Sequence, residues 1–213
     1  MSADEKKMIG SYVDDTSRFE ITDVGTGGGG RATVPPLETR RNDSKILAQG
    51  LEKLPSADGA EIYSGRIFRS TSKTIPSDGD FLASYSRPVS FSASPEKAGG
   101  FLAGRLVHDI GGDYGRGVGV IYKVKSNTGK VLGKFGDFDE LEVLYPHGSG
   151  FKIKTRRLRT STDGDYSFWE MELEEVDSIP SGAAIYDIIN GSDALTGEQI
   201  NAIPEELRIK FCQ

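Results

Sequence analysis

The stretch Asp139-Glu140-Leu141-Glu142-Val143-Leu144-Tyr145-Pro146 sets two carboxylates one residue apart, directly after the glycine-bearing run Gly133-Lys134-Phe135-Gly136-Asp137-Phe138. If the stretch is extended, alternate side chains share a face, and Glu140 and Glu142 stand about 7 Å apart along the strand. Leu141 and Val143 are then expected to point the other way, towards a core. Leu144 shares the acidic face, which fits the wall of a cleft better than a solvated surface. The same Glu-x-Glu spacing recurs at Glu170-Met171-Glu172 and Glu172-Leu173-Glu174. There Trp169, Met171 and Leu173 alternate with the acids, the pattern of a half-buried strand with a solvated acidic face.

Working outward, short apolar runs between turn residues predict a set of strands. Ala60 to Ser70 alternates Ile62, Ser64, Arg66 and Phe68 with Tyr63, Gly65, Ile67 and Arg69. Arg87 to Ser94, Val118 to Val124, Val131-Leu132, Leu141 to Tyr145, Phe151 to Arg157 and Phe168 to Val176 follow. Ile46, Leu47, Leu51 and Leu54 recur at helical spacing and predict a helix over Leu37 to Leu54, capped by Asn42, Asp43 or Ser44. Pro95-Glu96-Lys97-Ala98 opens a second helix, the segment from Gly99 to Gly119 is glycine-rich, and Gly111 to Gly119 reads as loop. Residues 1–35 are polar and contain Gly25-Thr26-Gly27-Gly28-Gly29-Gly30, a flexible segment with no GK[ST] to make it a phosphate loop. The main domain is expected over 36–177, with 178–213 a tail that is helical over Gly197 to Leu207. A helix first and many short strands later predict an α+β domain dominated by antiparallel sheet.

Composition narrows the function. The 213 residues carry a net charge of -6, which argues against nucleic acid as the main partner. A single cysteine, Cys212, excludes an internal disulfide and a thiolate-rich metal site, and His108 and His147 lack paired ligands, so no metal is expected. No apolar run approaches membrane-spanning length, so no membrane partner is expected. The start, Met1-Ser2-Ala3-Asp4-Glu5-Lys6-Lys7, lacks the apolar stretch of a secretory signal. The chain is expected to be cytoplasmic, to be delivered by a signal-independent route, or to be a domain of something larger. Lys152, Lys154 and Arg156 alternate with Phe151, Ile153 and Thr155, as a solvated strand face or a docking patch for an acidic partner.

Three features fall in a fixed order: a strand ending Ile67-Phe68-Arg69-Ser70, a strand carrying Ser92-Ala93-Ser94, and the loop leading to Glu140-Leu141-Glu142. This order resembles the mono-ADP-ribosyltransferases of the Arg–Ser–Glu class, especially bacterial toxins and effectors. Their pattern is an aromatic-Arg-Gly strand, a Ser-Thr-Ser strand and Gln/Glu-x-Glu. Val118 to Val124, the Gly129 turn and Glu142-Val143-Leu144-Tyr145-Pro146-His147-Gly148-Ser149-Gly150-Phe151 look like further parts of the same family, so the resemblance spans residues 60–177. The family's glycine after the arginine is Ser70 here, and its central threonine is Ala93. Ser90-Phe91-Ser92 aligns as well as Ser92-Ala93-Ser94. Arg66 competes with Arg69, which is preferred because it follows Phe68 and precedes a small residue.

The resemblance implies two antiparallel sheets packed roughly perpendicular, flanked by helices, with NAD in the cleft between them. It implies cleavage of the nicotinamide–ribose bond through an oxocarbenium-like transition state. By resemblance, Glu142 bonds the ribose 2′-hydroxyl, Ser92 donates to Glu142, and Arg69 grips the NAD phosphates with its planar fork. Ser70 and Ser94 join Arg69 and Ser92 around the dinucleotide. Glu140 meets an incoming guanidinium, Phe138 touches the acceptor, and Gly112-Asp113-Tyr114-Gly115-Arg116-Gly117 lies where a loop covers NAD. The implied partner is a target protein with an accessible arginine, met in the cytoplasm of a target cell that the protein enters by secretion or injection. The alternatives are an NAD glycohydrolase on the same fold and a non-catalytic binding domain.

Overall fold

Three helices and eleven strands follow one another along the described residues of a computed structural model, which are 1–13, 37–68, 75–85, 87–110, 118–135, 141–189, 195–196 and 210–211. In chain order they are α1 (Ala3–Val13), α2 (Leu37–Glu52), β1 (Glu61–Phe68), β2 (Phe81–Ala83), β3 (Val89–Ser92), α3 (Pro95–Ile110), β4 (Val118–Lys125) and β5 (Lys130–Val131). A single 3-10 turn, Gly133–Phe135, precedes β6 (Glu142–Tyr145), β7 (Gly150–Thr160), β8 (Ser167–Val176), β9 (Ser178–Ile179), β10 (Ile185–Asp187) and β11 (Lys210–Phe211).

Nine strands pair in the order β10-β2-β7-β8-β4-β1-β3-β6-β5, and β11 pairs with β9. Most neighbours in the large sheet are antiparallel; β4 with β8 and β10 with β2 are parallel. The join between β1 and β3 rests on one register pair, Tyr63↔Ser92, against eight for β1 with β4. At this narrow join a six-strand part meets a three-strand part. Residues from the whole run enter one core: Tyr186, Leu82, Phe151, Met171, Tyr122, Ile62, Phe91 and Val143. The Tyr122 hydroxyl on β4 donates to the carbonyl of Ile188, just past the edge strand β10 (3.1 Å). A flat run would not bring its edge over its middle, so the sheet curls back to cover its own apolar face. The α+β class with flanking helices is as expected. Where two separate sheets were expected, hydrogen bonding links the strands in one order, thinnest at β1–β3.

α1 forms within the segment read from sequence as flexible. Ser2 and Glu5 make a reciprocal capping box: Glu5 N–H donates to Ser2 Oγ (3.2 Å) and Ser2 N–H to Glu5 Oε2 (2.6 Å). Ile9 and Tyr12 of α1 pack with Leu47 and Leu51 of α2 over Leu132 and Leu144. α2 starts at Leu37, so Asn42, Asp43 and Ser44 lie inside it and cap nothing. The apolar spacing that located this helix begins only at Ile46, two turns late. The glycine runs at 25–30 and 112–117, the helix expected over 197–207, and Cys212 lie outside the described residues.

α3 runs to Ile110, through the first part of the glycine-rich segment. Ser94 Oγ accepts from Lys97 N–H (3.2 Å), the N-cap contact, and Pro95 occupies the first helical position. The helix then lies on β1 so closely that a Cβ on Gly65 would sit 2.2 Å from the Ala98 carbonyl oxygen. Burial of Ala98 and Leu102 against the sheet outweighs the weak helix propensity of Gly99, Gly100 and Gly104, whose Cβ positions face open space.

The tail is partly integrated: β10 pairs with β2 over Ile185↔Phe81, Tyr186↔Leu82 and Asp187↔Ala83. The alternation in β8 holds, with Met171 and Leu173 buried and Glu172 and Glu174 exposed. These acids face the basic residues of β7: Lys154 pairs with Glu174 (3.1 Å) and Arg159 with Glu170 (2.9 Å). Arg156 donates to the carbonyls of Ile75 and Pro76 (2.9 Å each) and lies 5.0 Å over the Trp169 ring. Of the basic stripe, Lys154 therefore faces an acid on β8, and Arg156 is tied to the protein's own carbonyls and indole ring.

Candidate active site

β6 begins at Glu142, beside β3, with Ser92↔Glu142, Phe91↔Val143, Ser90↔Leu144 and Val89↔Tyr145 in register. Phe91 and Val143 point into the main core, where Phe91 meets the Tyr145 ring edge-on at 5.4 Å. That inward pair forces Ser90, Ser92 and Glu142 together onto the opposite face. Leu144, also on that face, is sealed under α1 and α2. Glu142 stands two residues further along and is itself only 5 % exposed.

The side chain of Glu142 reaches diagonally past its ladder partner: Ser90 Oγ donates to Glu142 Oε1 at 2.5 Å. The sequence reading gave that contact to Ser92. Ser92 lies directly opposite Glu142 and is buried, and its hydroxyl oxygen accepts from Ser94 N–H (3.0 Å). The brace that is seen comes from Ser90, with the inward-facing Phe91 between the two outward serines. Ser94 sits at the end of this short arc as the cap of α3.

The Ser90 carbonyl is held in turn by β1. Ser64 Oγ donates to it at 2.8 Å and Arg66 Nη2 at 3.0 Å. Both side chains are buried between Ile62 and Phe68 on the core-facing side of β1. Burial holds the nearby Tyr122 phenol well above its ordinary value, with the Arg66 guanidinium pulling it down and the Asp187 carboxylate pushing it up. Arg66, the competitor for the motif arginine, is thus buried and donates to the Ser90 carbonyl at the join of the sheet.

Leu141 departs from expectation. Its φ is 48°, and its side chain is 58 % exposed rather than turned to a core. Its carbonyl accepts from Ala93 N–H (3.2 Å), tying the turn to the end of β3. The extended geometry assumed for Glu140-Leu141-Glu142 is broken at its middle residue, and Glu142 opens the strand. Arg69, Ser70, Phe138 and Glu140 lie outside the described residues.

At the far end of β6 a cavity of about 330 Å³ is lined by Lys130, Tyr145, His147, Ser149 and Glu175 among others. Glu175 there accepts from Asn127 N–H (2.6 Å), Thr128 N–H (2.9 Å), Thr128 Oγ1 (2.8 Å) and the Tyr145 hydroxyl, which fixes the β4–β5 turn. None of Ser90, Ser92 or Glu142 lines this cavity. Among the described residues no group of three or more His, Cys, Asp or Glu side chains is placed to hold a metal ion.

The sequence matches no protein-family model and no curated protein. The fold does match solved structures. The Vis toxin of Vibrio splendidus, an ADP-ribosyltransferase solved in complex with agmatine, superposes with a TM-score of 0.65 at 21% identity, over 92% of this chain and 85% of that one. The C3 exoenzyme of Clostridium limosum gives 0.56 at 15% identity, over 83% and 86%. Exoenzyme S of Pseudomonas aeruginosa, solved bound to carba-NAD, gives 0.55 at 15% identity, over 82% and 74%. At these identities the likeness is one of architecture, and the chain has the fold of the bacterial ADP-ribosyltransferase toxins.

Proposed function

We propose that this protein is an NAD-dependent mono-ADP-ribosyltransferase that moves ADP-ribose onto an arginine of a target protein, as a bacterial toxin or effector acting in the cytoplasm of a target cell. The observation that carries the reading is the buried Glu142 carboxylate held by the Ser90 hydroxyl at 2.5 Å, at the start of a strand beside the sheet's narrow join. A carboxylate fixed before reaction suits a transition state in which positive charge develops on a sugar.

In this reading the C1′–nitrogen bond of NAD breaks, its electron pair stays with neutral nicotinamide, and the ribose carries the charge. Glu142 accepts a hydrogen bond from the ribose 2′-hydroxyl and stabilises that charge. Arg69 holds the phosphates, with Ser70, Ser92 and Ser94 lining the dinucleotide. Glu140 draws in the acceptor guanidinium and assists loss of its proton as nitrogen bonds C1′. Phe138 contacts the acceptor. The agmatine bound by Vis carries a guanidinium group, and the carba-NAD bound by exoenzyme S is an NAD analogue, which agrees with both halves of this reaction.

The test is incubation with labelled NAD and a cell extract, followed by mass spectrometry of labelled proteins. Label on an arginine supports the proposal. Free ADP-ribose with no labelled protein would move the assignment to NAD hydrolysis, and no NAD turnover would move it to a binding domain. Glu140→Ala is expected to cut transfer at least about tenfold more than hydrolysis, because its charge serves the acceptor. Equal losses in the two rates would contradict its role.

A further inference from the structure

β1 and β3 share one register pair, Tyr63↔Ser92, and beyond it no further pair joins them. The Ser90 carbonyl lies on the unpaired side of that point, where a regular sheet would have supplied a backbone amide. Two side chains of β1 take over: Ser64 Oγ at 2.8 Å and Arg66 Nη2 at 3.0 Å. The same Ser90 donates its hydroxyl to Glu142 Oε1. A continuous path of hydrogen bonds therefore runs from the buried guanidinium of Arg66, through the peptide and hydroxyl of Ser90, to the Glu142 carboxylate.

We propose that Arg66, assisted by Ser64, is a positioning residue for the Glu142 carboxylate. The two side chains hold Ser90 in place without closing β1 onto β3, so the acid is fixed while the strands stay parted. An arginine in a sheet core is costly to desolvate. Its fork spans the gap that a backbone amide on β1 leaves open, and a charge-assisted donor holds a carbonyl more firmly than a neutral one. The role differs from that of Arg69, which is assigned to the phosphates. It rests on the NAD-cleaving reading for its kinetic consequence only.

The test compares Arg66→Met, which removes the donor, with Arg66→Lys, which keeps one, and with Ser64→Ala and Ser90→Ala. Nicotinamide release is measured against NAD concentration, and crystal structures of the variants give the Ser90 Oγ to Glu142 Oε1 distance. Arg66→Met is expected to lower kcat about tenfold or more, with KM for NAD within about threefold, because orientation of the acid is lost and dinucleotide binding is not. Arg66→Lys should recover part of the loss, and Ser64→Ala should show the same kcat-only pattern more weakly. In the Arg66→Met crystal the contact should open beyond hydrogen-bond reach. An unchanged contact in that crystal, or a rise in KM with kcat intact, would overturn the proposal. Should Arg66→Met fail to fold, Ser64→Ala carries both readouts. Should the wild-type protein release no nicotinamide, the proposed function falls, and the crystallographic distance alone decides the positioning role.

Discussion

Leu141 stands in the left-handed region, which costs an L-residue roughly 1–2 kcal/mol. Its exposed side chain recovers nothing by burial. What the turn achieves is placement: it ties to Ala93 and lets Glu142 enter the ladder opposite Ser92. Leu141→Val, which adds a β-branch in that conformation, is expected to lower stability by about 1–2 kcal/mol, while Leu141→Gly stays within about 1 kcal/mol of wild type. Urea denaturation of the two variants checks this, and equal losses would show the backbone is not the cause. The Glu-x-Glu spacing was legible in the sequence, and so was Val143 facing the core. The left-handed turn was not, because a leucine gives no sign of it where glycine or asparagine would. The brace was half legible: Ser90 and Ser92 were both in view, and the pairing of Phe91 with Val143 turns both to the face of the acid, where the Ser90 hydroxyl meets it.

Helices were read less well than strands, for a physical reason. The β8 alternation is a property of the strand alone, and Trp169 to Glu174 displays it without help. α3 owes its full length to what it packs on. Gly65 provides the clearance, so Gly65→Ala is expected to push α3 off β1 and cost about 3 kcal/mol, since the opposing atom is a backbone oxygen at 2.2 Å. A denaturation midpoint unchanged from wild type would refute that close approach. α1 was missed because its cap is only four residues long and its apolar face is only Ile9 and Tyr12 with their flanks. It is also tied to Lys53, one residue past the end of α2, by the Glu5–Lys53 ion pair (2.5 Å). The Lys53 ammonium, and then the Ser2 amide, hold the Glu5 carboxyl below its ordinary value of 4.5. The ionised form is favoured by folding, so the contribution is present above that value and disappears as pH falls through the depressed one. Glu5→Gln is expected to melt below wild type near neutral pH, with the two curves converging in acid. Curves that stay parallel would remove the pair from the account.

In the molecule as a whole, an early helix followed by many short strands pointed to the α+β architecture, and the structural likenesses agree with it. The single run of nine strands was not legible, since the β1–β3 join depends on one register pair and on side chains reaching across. The sheet's integration of β10 was also hidden, because a three-residue strand has too few positions to show alternation. The curled sheet places the acid at the join of its two parts, and function is proposed to follow from that placement. The decisive measurement is the rate of nicotinamide release by wild type and by Glu142→Gln at matched thermal stability. A loss of roughly a hundred- to a thousandfold is expected, because the amide keeps the shape and loses the charge that the developing cation needs. Turnover by Glu142→Gln near the wild-type rate would contradict it.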